Sequence, residues 1–212
     1  MSLFLSADYH FGHKNIIKYE NRPFKTLDQM NDTIIRNHNS RVKKDDYFLH
    51  VGDFCFHCKS GTGNGSVYKA SEFLERLNGI PVLLLGNHDK KGNSVNTKFQ
   101  SLILQGAGFQ IKAVHKPLHA DPSYPLNLVG HVHSAWRTMN FKAYYRIQVK
   151  EAKRTDLPKH YIASVQQFVN RWRRHPKNSL LLNVGIDVHN FMPISYEEIM
   201  CIYYKWRQEN AK

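Results

Sequence analysis

Carboxylates, imidazoles and one amide recur in this chain directly after short apolar runs. Asp8-Tyr9-His10 follows Leu3-Phe4-Leu5, and Gly52-Asp53 follows Phe48-Leu49-His50-Val51. Gly86-Asn87-His88-Asp89 follows Ile80 to Leu85, and Gly130-His131-Val132-His133 follows Leu126 to Val129. His115 ends a fifth run, Phe109 to Val114. Carboxylate oxygens and neutral imidazoles are the groups that hold divalent hydrolytic metals at neutral pH, with water in an open position. Two ions about 3.5–4 Å apart need one bridging carboxylate and roughly three further ligands each. Asp8 and His10, two apart, can reach one ion together, and Asp53 is the natural bridge. Asn87 offers an amide oxygen, His131 and His133 can divide between two ions, and His115 can complete the set. One Asp-x-His or His-x-His alone means little. Four such pieces, each at the end of an apolar run, point to a common site.

The elements that must position these residues follow from the pattern. The apolar runs read as buried strands opening into loops, and in open α/β sheets chemistry collects at that edge. Leu3–Ala7 and Tyr47–Val51 are the first two strands. Thr26-x-x-Gln29 reads as a capping box opening a helix with Leu27, Met30, Ile34 and Ile35 on its inner face. Ala70, Phe73, Leu74 and Leu77 predict a helix stopped by Asn78-Gly79. Val95, Phe99, Leu102 and Ile103 predict another, ending at Gly106-Ala107-Gly108. Leu180–Gly185 returns to strand, and Ser195-x-x-Glu198 is a capping box opening a last helix with Ile199, Ile202, Tyr203 and Trp206. The Gly/Ser-rich stretch 60–66 lacks the Gly-Lys-Ser/Thr ending of a phosphate loop and reads as linker or lid.

With 212 residues, one domain spanning 1–212 is expected. The formal net charge of +13 points to a polyanionic partner, or else to a solvated basic surface. Three cysteines are too few for a disulfide framework, which predicts a reducing, cytoplasmic setting. The N-terminus lacks the basic region of a signal peptide, and no run approaches the ~20 apolar residues of a membrane span. Residues 134–179 read as a basic, aromatic-rich insertion: eleven Lys/Arg against two acids, +9 of the total +13. Trp136, Phe141, Tyr144, Tyr145, Tyr161, Phe168 and Trp172 are interleaved among them. Such a segment could track phosphates and stack bases. It could equally cover a small core or an interface, with Ile162, Val165, Val169 and Trp172 as one helix stripe. Arg171, Arg173 and Arg174 would then suit the helix dipole.

The series Asp8-x-His10, Gly52-Asp53, Gly86-Asn87-His88-Asp89, His115 and Gly130-His131-x-His133 resembles the calcineurin-like metallophosphoesterase superfamily. The match spans residues 1–133 and the closing Asn183-Val184-Gly185 strand. The resemblance implies an α/β fold, a four-layer α-β-β-α sandwich of two mixed sheets with flanking helices. It implies two divalent ions, one on Asp8, His10, Asp53 and His133, the other on Asp53, Asn87, His115 and His131. Mn²⁺ is the expected ion, with Fe, Ni²⁺, Zn²⁺ or Mg²⁺ as alternatives. His88 is then no ligand but assists the transition state, and Asp89 orients it. His119 is the alternative to His115, although His115-Lys116-Pro117 fits the family's strand, His and Pro-turn order better. The loop after Asp53 lacks the acidic-Arg-Gly continuation of the Ser/Thr protein phosphatases, which leaves the phosphodiesterase and nuclease-type branch.

The chemistry implied is hydrolysis of a phosphoester by a hydroxide activated between two cations, with His88, if protonated, stabilising the leaving oxygen. A phosphodiesterase acting on a nucleotide or nucleic acid is the first expectation. A phosphomonoesterase of a small metabolite and a catalytically silent nucleic-acid-binding protein are the alternatives. His13, Arg22, His57, Trp136 and Arg137 are candidates for substrate contact, with Asn15 a further one. Asp187 and His189 could support the site from behind the ligands. Cys55-Phe56-His57-Cys58 has zinc-like spacing but no second cysteine pair.

Overall fold

The computed structural model describes residues 1–56, 69–89, 97–106, 108–154, 156–174 and 178–210. Expectations resting on His57, Cys58, the 60–66 stretch and Val95 lie outside the described residues.

Two mixed sheets carry the site. The first has β1 (Leu3–Ser6) between β2 (Tyr47–His50) and β9 (Ile194–Ser195), with β3 (Ile80–Leu83) outside β2. β1, β2 and β3 are parallel, and β9 runs against β1. The second sheet has the order β4 (Ser101–Gly106), β5 (Phe109–Val114), β6 (Leu126–Val129), β8 (Leu180–Asn183), β7 (Thr138–Asn140). β5, β6 and β8 are parallel, and the two edge strands are antiparallel to their neighbours. The parallel strands therefore deliver Asp8, Asp53, Gly86, His115 and Gly130 from their C-terminal ends, where the sequence pattern put them.

Period-two alternation sorts the side chains into layers. Leu5 and Leu49 of the first sheet meet Ile111, Leu126, Leu128, Leu180 and Leu182 of the second. Their neighbours Phe4 and Phe48 face outward against α2 (Leu27–Arg41) and α3 (Ala70–Leu74). Val114, Val129 and Leu181 face the other way, under α4 (Phe141–Glu151) and α5 (Lys159–Arg174). The result is the four-layer α-β-β-α sandwich. Strands buried on both faces explain the unbroken apolar runs in the sequence.

Over its described residues, 97–103, the helix expected across Val95 to Ile103 is overturned. Ser101–Gly106 is an edge strand in register with β5 from Ser101↔Val114 to Gly106↔Phe109. Leu102 and Leu104 turn inward while Ile103 lies exposed. Gly106 pairs with Phe109 and so ends a strand, not a helix. The capping expectations divide. Ser195 and Glu198 form the full reciprocal box at the start of α6 (Tyr196–Glu209). Thr26 accepts from the Gln29 amide, but the Gln29 side chain accepts from Lys25 N–H instead of closing on Thr26. The aromatics of 134–179 pack on one another: Phe141 stacks on Phe168 at 5.2 Å and on Trp172 at 5.6 Å, and all three are buried. No described helix is long and apolar enough to cross a membrane.

Candidate metal centre

Two groups of potential ligands converge at the strand ends. Asp8, His10 and His133 offer donor atoms within 4.8 Å of one another, and so do Asp53, His115 and His131. Asp53 lies between the groups: its Oδ2 is 3.2 Å from His115 Nε2 and 3.6 Å from His10 Nε2. Asn87 Oδ1 is 3.1 Å from His115 Nε2, which brings the amide to the second group. His119, itself exposed, ends the 3₁₀ turn Pro117–His119 beyond the buried Pro117 and Leu118, and belongs to neither group.

The backbone holds this arrangement in an unusual way. Asp8, His10, Asp53, His131 and His133 all have φ between +43° and +72°. Non-glycine residues seldom adopt that region, and such strain gathers at functional sites. Gly86 supplies close approach: a Cβ there would collide with the Asp53 carboxylate and amide.

Hydrogen bonds fix how the imidazoles point. His115 Nδ1 lies 2.9 Å from the Val51 carbonyl, and a proton donated there leaves the Nε2 lone pair on the Asp53 side, able to bind a metal. His133 Nδ1 lies 3.0 Å from Asp187 Oδ2, and His10 Nδ1 lies 3.1 Å from His13 Nδ1. Asp187 in turn takes a two-point ion pair from Arg22, with Nε at 2.8 Å and Nη2 at 2.9 Å. Arg22 also donates to the carbonyls of Asp8 and Tyr9.

Charge is finely opposed here. Burial pushes the Asp8 carboxyl up to about 6, against the pull of His115 and His133. Burial also pushes Asp53 upward, yet His115 and His10 outweigh it and hold Asp53 below the usual carboxylate range. For His115 burial works downward, but the Asp53 carboxylate beside it and the field of Asp8 raise it to about 9. Burial lowers His10, and lowers His131 to about 3. Asp53 Oδ2 and His10 Nε2 are both buried without a hydrogen-bond partner among the described residues. Cations would satisfy both atoms and oppose the proton on His115, so the donor set fits two metal ions.

Other sequence candidates find different places. Arg22 is corrected: its guanidinium is buried and committed to Asp187 and two carbonyls, so it does not face substrate. His13 is buried against Phe56 at 4.0 Å and held down to about 4, chiefly by burial. Its ring is thus seated beside His10 and Phe56. Asp89 is also corrected. It accepts from the amides of Gly86, Asp53, Phe54 and Cys55, which pins the Asp53 loop to the Gly86 loop; none of these bonds goes to His88. The His88 ring sits 5.1 Å from that of His10, and its amide donates to Asp53 Oδ1. Trp136 packs beside Tyr144 at 6.3 Å, and Arg137 is exposed; their carbonyls accept from Asn183 Nδ2 and N. Asn183, missed as a site residue, also donates from Nδ2 to the His133 carbonyl and so shapes that ligand loop. His189 bonds the Asn183 carbonyl, and Asn15 precedes the one-turn helix α1 (Ile16–Tyr19).

No protein-family model matches the chain. It is 31% identical over 198 residues to the uncharacterized protein MJ1445 of Methanocaldococcus jannaschii, across 93% of this chain and 89% of the other. In fold it is similar to AQ665 of Aquifex aeolicus, a protein of unknown function, with a TM-score of 0.59 and 22% identity over 95% of this chain and 98% of that one. A partial likeness extends to YfcE, a phosphoesterase from E. coli, with a TM-score of 0.34 and 15% identity over 63% of this chain and 70% of that one. A likeness at that level says nothing about activity.

Proposed function

Since this chain belongs to one family with MJ1445 of Methanocaldococcus jannaschii and has the calcineurin-like phosphoesterase fold, we propose that it is a metal-dependent phosphoesterase, foremost a phosphodiesterase for a nucleotide or nucleic-acid substrate. The observation that carries this reading is the set of five strained residues, Asp8, His10, Asp53, His131 and His133, whose side chains meet in two adjoining donor groups. A merely structural cluster has no need of strain at so many of its members.

In this reading Asp8, His10 and His133 would hold one ion and Asn87, His115 and His131 the other, with Asp53 available to both. Two divalent ions, manganese in the first instance, would supply Lewis acidity and acidify a water toward neutrality. The protein's own part is orientation. Arg22 and Asp187 hold His133, Val51 holds His115, and Asp89 fixes the loop carrying Asp53. His88, half-buried beside His10, is in reach to give a proton to the departing oxygen or to stabilise its charge.

The test pairs bis(p-nitrophenyl) phosphate with the corresponding monoester, each with Mn²⁺ and with chelator. The diester should turn over faster, and only with metal. Asp53→Asn should lose bound metal and nearly all activity. His88→Ala should keep metal yet lose about 10²–10⁴ in kcat. Metal-loaded protein that turns over neither ester would sink the reading. The burial of Phe141, Phe168 and Trp172 favours one second reading, a phosphomonoesterase of a small metabolite, because those rings are not free to stack on bases. A faster monoester would select it.

A further inference from the structure

Beside His131 opens a cavity of about 410 Å³, between the Lys116–His119 turn and helices α4 and α5. Its walls include Lys116, His119, His131, Gln148, His160 and Tyr161, and no carboxylate is among the described lining residues. A second cavity, of about 300 Å³, lies across the ridge made by Lys116 and His119 and is walled by Asn87 and His115. Lys116 and His119 thus stand between two spaces that both reach the candidate metal centre. Positive charge gathers on this side. Burial first, then Arg171 and Lys116, hold the His119 imidazole below its ordinary value. Arg171 anchors α5 to the turn by donating to the Leu118 carbonyl.

Gln148 gives the cavity a second demand. Its side chain is 5% exposed, and Oε1 is buried without a hydrogen-bond partner among the described residues. A buried acceptor left unpaired is costly, so a ligand donor such as a hydroxyl suits that wall.

We infer that this cavity seats a second phosphate of the substrate, carried on a hydroxyl-bearing scaffold next to the scissile phosphoester. Lys116 and His160 bind the phosphate, and Gln148 accepts from the scaffold. The inference rests on the phosphoesterase reading for its placement beside the scissile group, but the binding it requires is measurable without turnover. Two sources share the chemistry: the neighbouring phosphate of a short nucleic-acid strand, and the distal phosphate of a sugar bisphosphate.

The full chain, manganese-loaded and at fixed ionic strength, is titrated calorimetrically with two pairs of probes. One pair is the dinucleotide ApA with and without a 5′-phosphate. The other is a hexose bisphosphate and its monophosphate. In one pair the added phosphate should tighten binding about tenfold, the scale of one charge-assisted hydrogen bond. Lys116→Met and His160→Gln should each erase most of that preference, which separates the cavity from the general pull of a +13 chain. The responding pair identifies the source. Equal affinities within both pairs would overturn the inference, and so would a preference that survives both substitutions. Turnover of bis(p-nitrophenyl) phosphate, which has no second phosphate, is read separately. Its absence beside an intact preference removes the phosphoesterase reading alone; its presence without any preference removes the cavity alone.

Discussion

Arg22 and Asp187 stand 165 residues apart in the chain, yet their two-point ion pair is buried beneath the candidate ligands. Removing one partner of such a pair leaves an uncompensated charge. Arg22→Met should therefore cost about 3–5 kcal/mol in chemical denaturation. Asp187→Asn acts through His133, whose Nδ1 it accepts, and should weaken metal affinity about 10–100-fold in a competition titration with a chromophoric chelator. A loss of stability with unchanged metal affinity would show that Asp187 merely braces the fold. The ligand candidates themselves were legible in the sequence, because each sits within a few residues of an apolar run and its chemistry is local. Arg22, Asp187 and Asn183 were harder to place, since their roles depend on partners brought together only by the closing of the two sheets. The left-handed backbone at Asp8 and His131 had only a weak signal: Asp and His adopt a positive φ more often than most side chains, but far less readily than glycine.

Elements with strong local signals were the readable ones. β1, β2, β6 and β8 are unbroken apolar runs, and the Ser195–Glu198 box marks the start of α6. Ser195→Ala should destabilise the protein by about 1 kcal/mol, because the Glu198 amide loses its acceptor. β4 was misread because Phe99, Leu102 and Ile103 also suit a helical period. Leu102 and Leu104 alternate just as well, and pairing along β5 decides between the two patterns. The aromatic content of 134–179 was equally ambiguous, since composition cannot tell a stacking platform from a core. Phe168 is buried between Phe141 and Tyr144, so Phe168→Ala should cost about 3–5 kcal/mol of stability. A small effect on unfolding with a large loss of nucleic-acid affinity would return that ring to a binding role.

At the scale of the whole molecule, the outer helices seal histidines into both the core and the site, and this gives stability a definite pH dependence. His38, on the inner face of α2, is the clearest case because it lies outside the candidate ligand groups. Its Nε2 lies 2.8 Å from the Asn78 carbonyl and its Nδ1 2.7 Å from the Tyr9 hydroxyl. The neutral ring satisfies both contacts if Nε2 donates and Nδ1 accepts. Burial lowers its pKa from 6.5 to about 4, against the smaller opposing effect of the Asn78 bond. The unfolded chain therefore binds a proton below 6.5 that the folded chain refuses until about 4. The stability tied to His38 is complete above pH 6.5, declines as pH falls, and is gone below about 4. The shift corresponds to on the order of 3 kcal/mol across that window. Asp8, raised by burial, has the opposite sign and loses its contribution as pH rises, so wild-type curves mix the two. His38→Gln removes this titrating group and leaves the others in place. Chelated wild-type and His38→Gln proteins, unfolded in urea at steps from pH 7 to pH 4, should show a difference in stability that narrows toward acid. A difference that stays constant over that range would mean that His38 takes up its proton as readily in the folded chain as in the unfolded one.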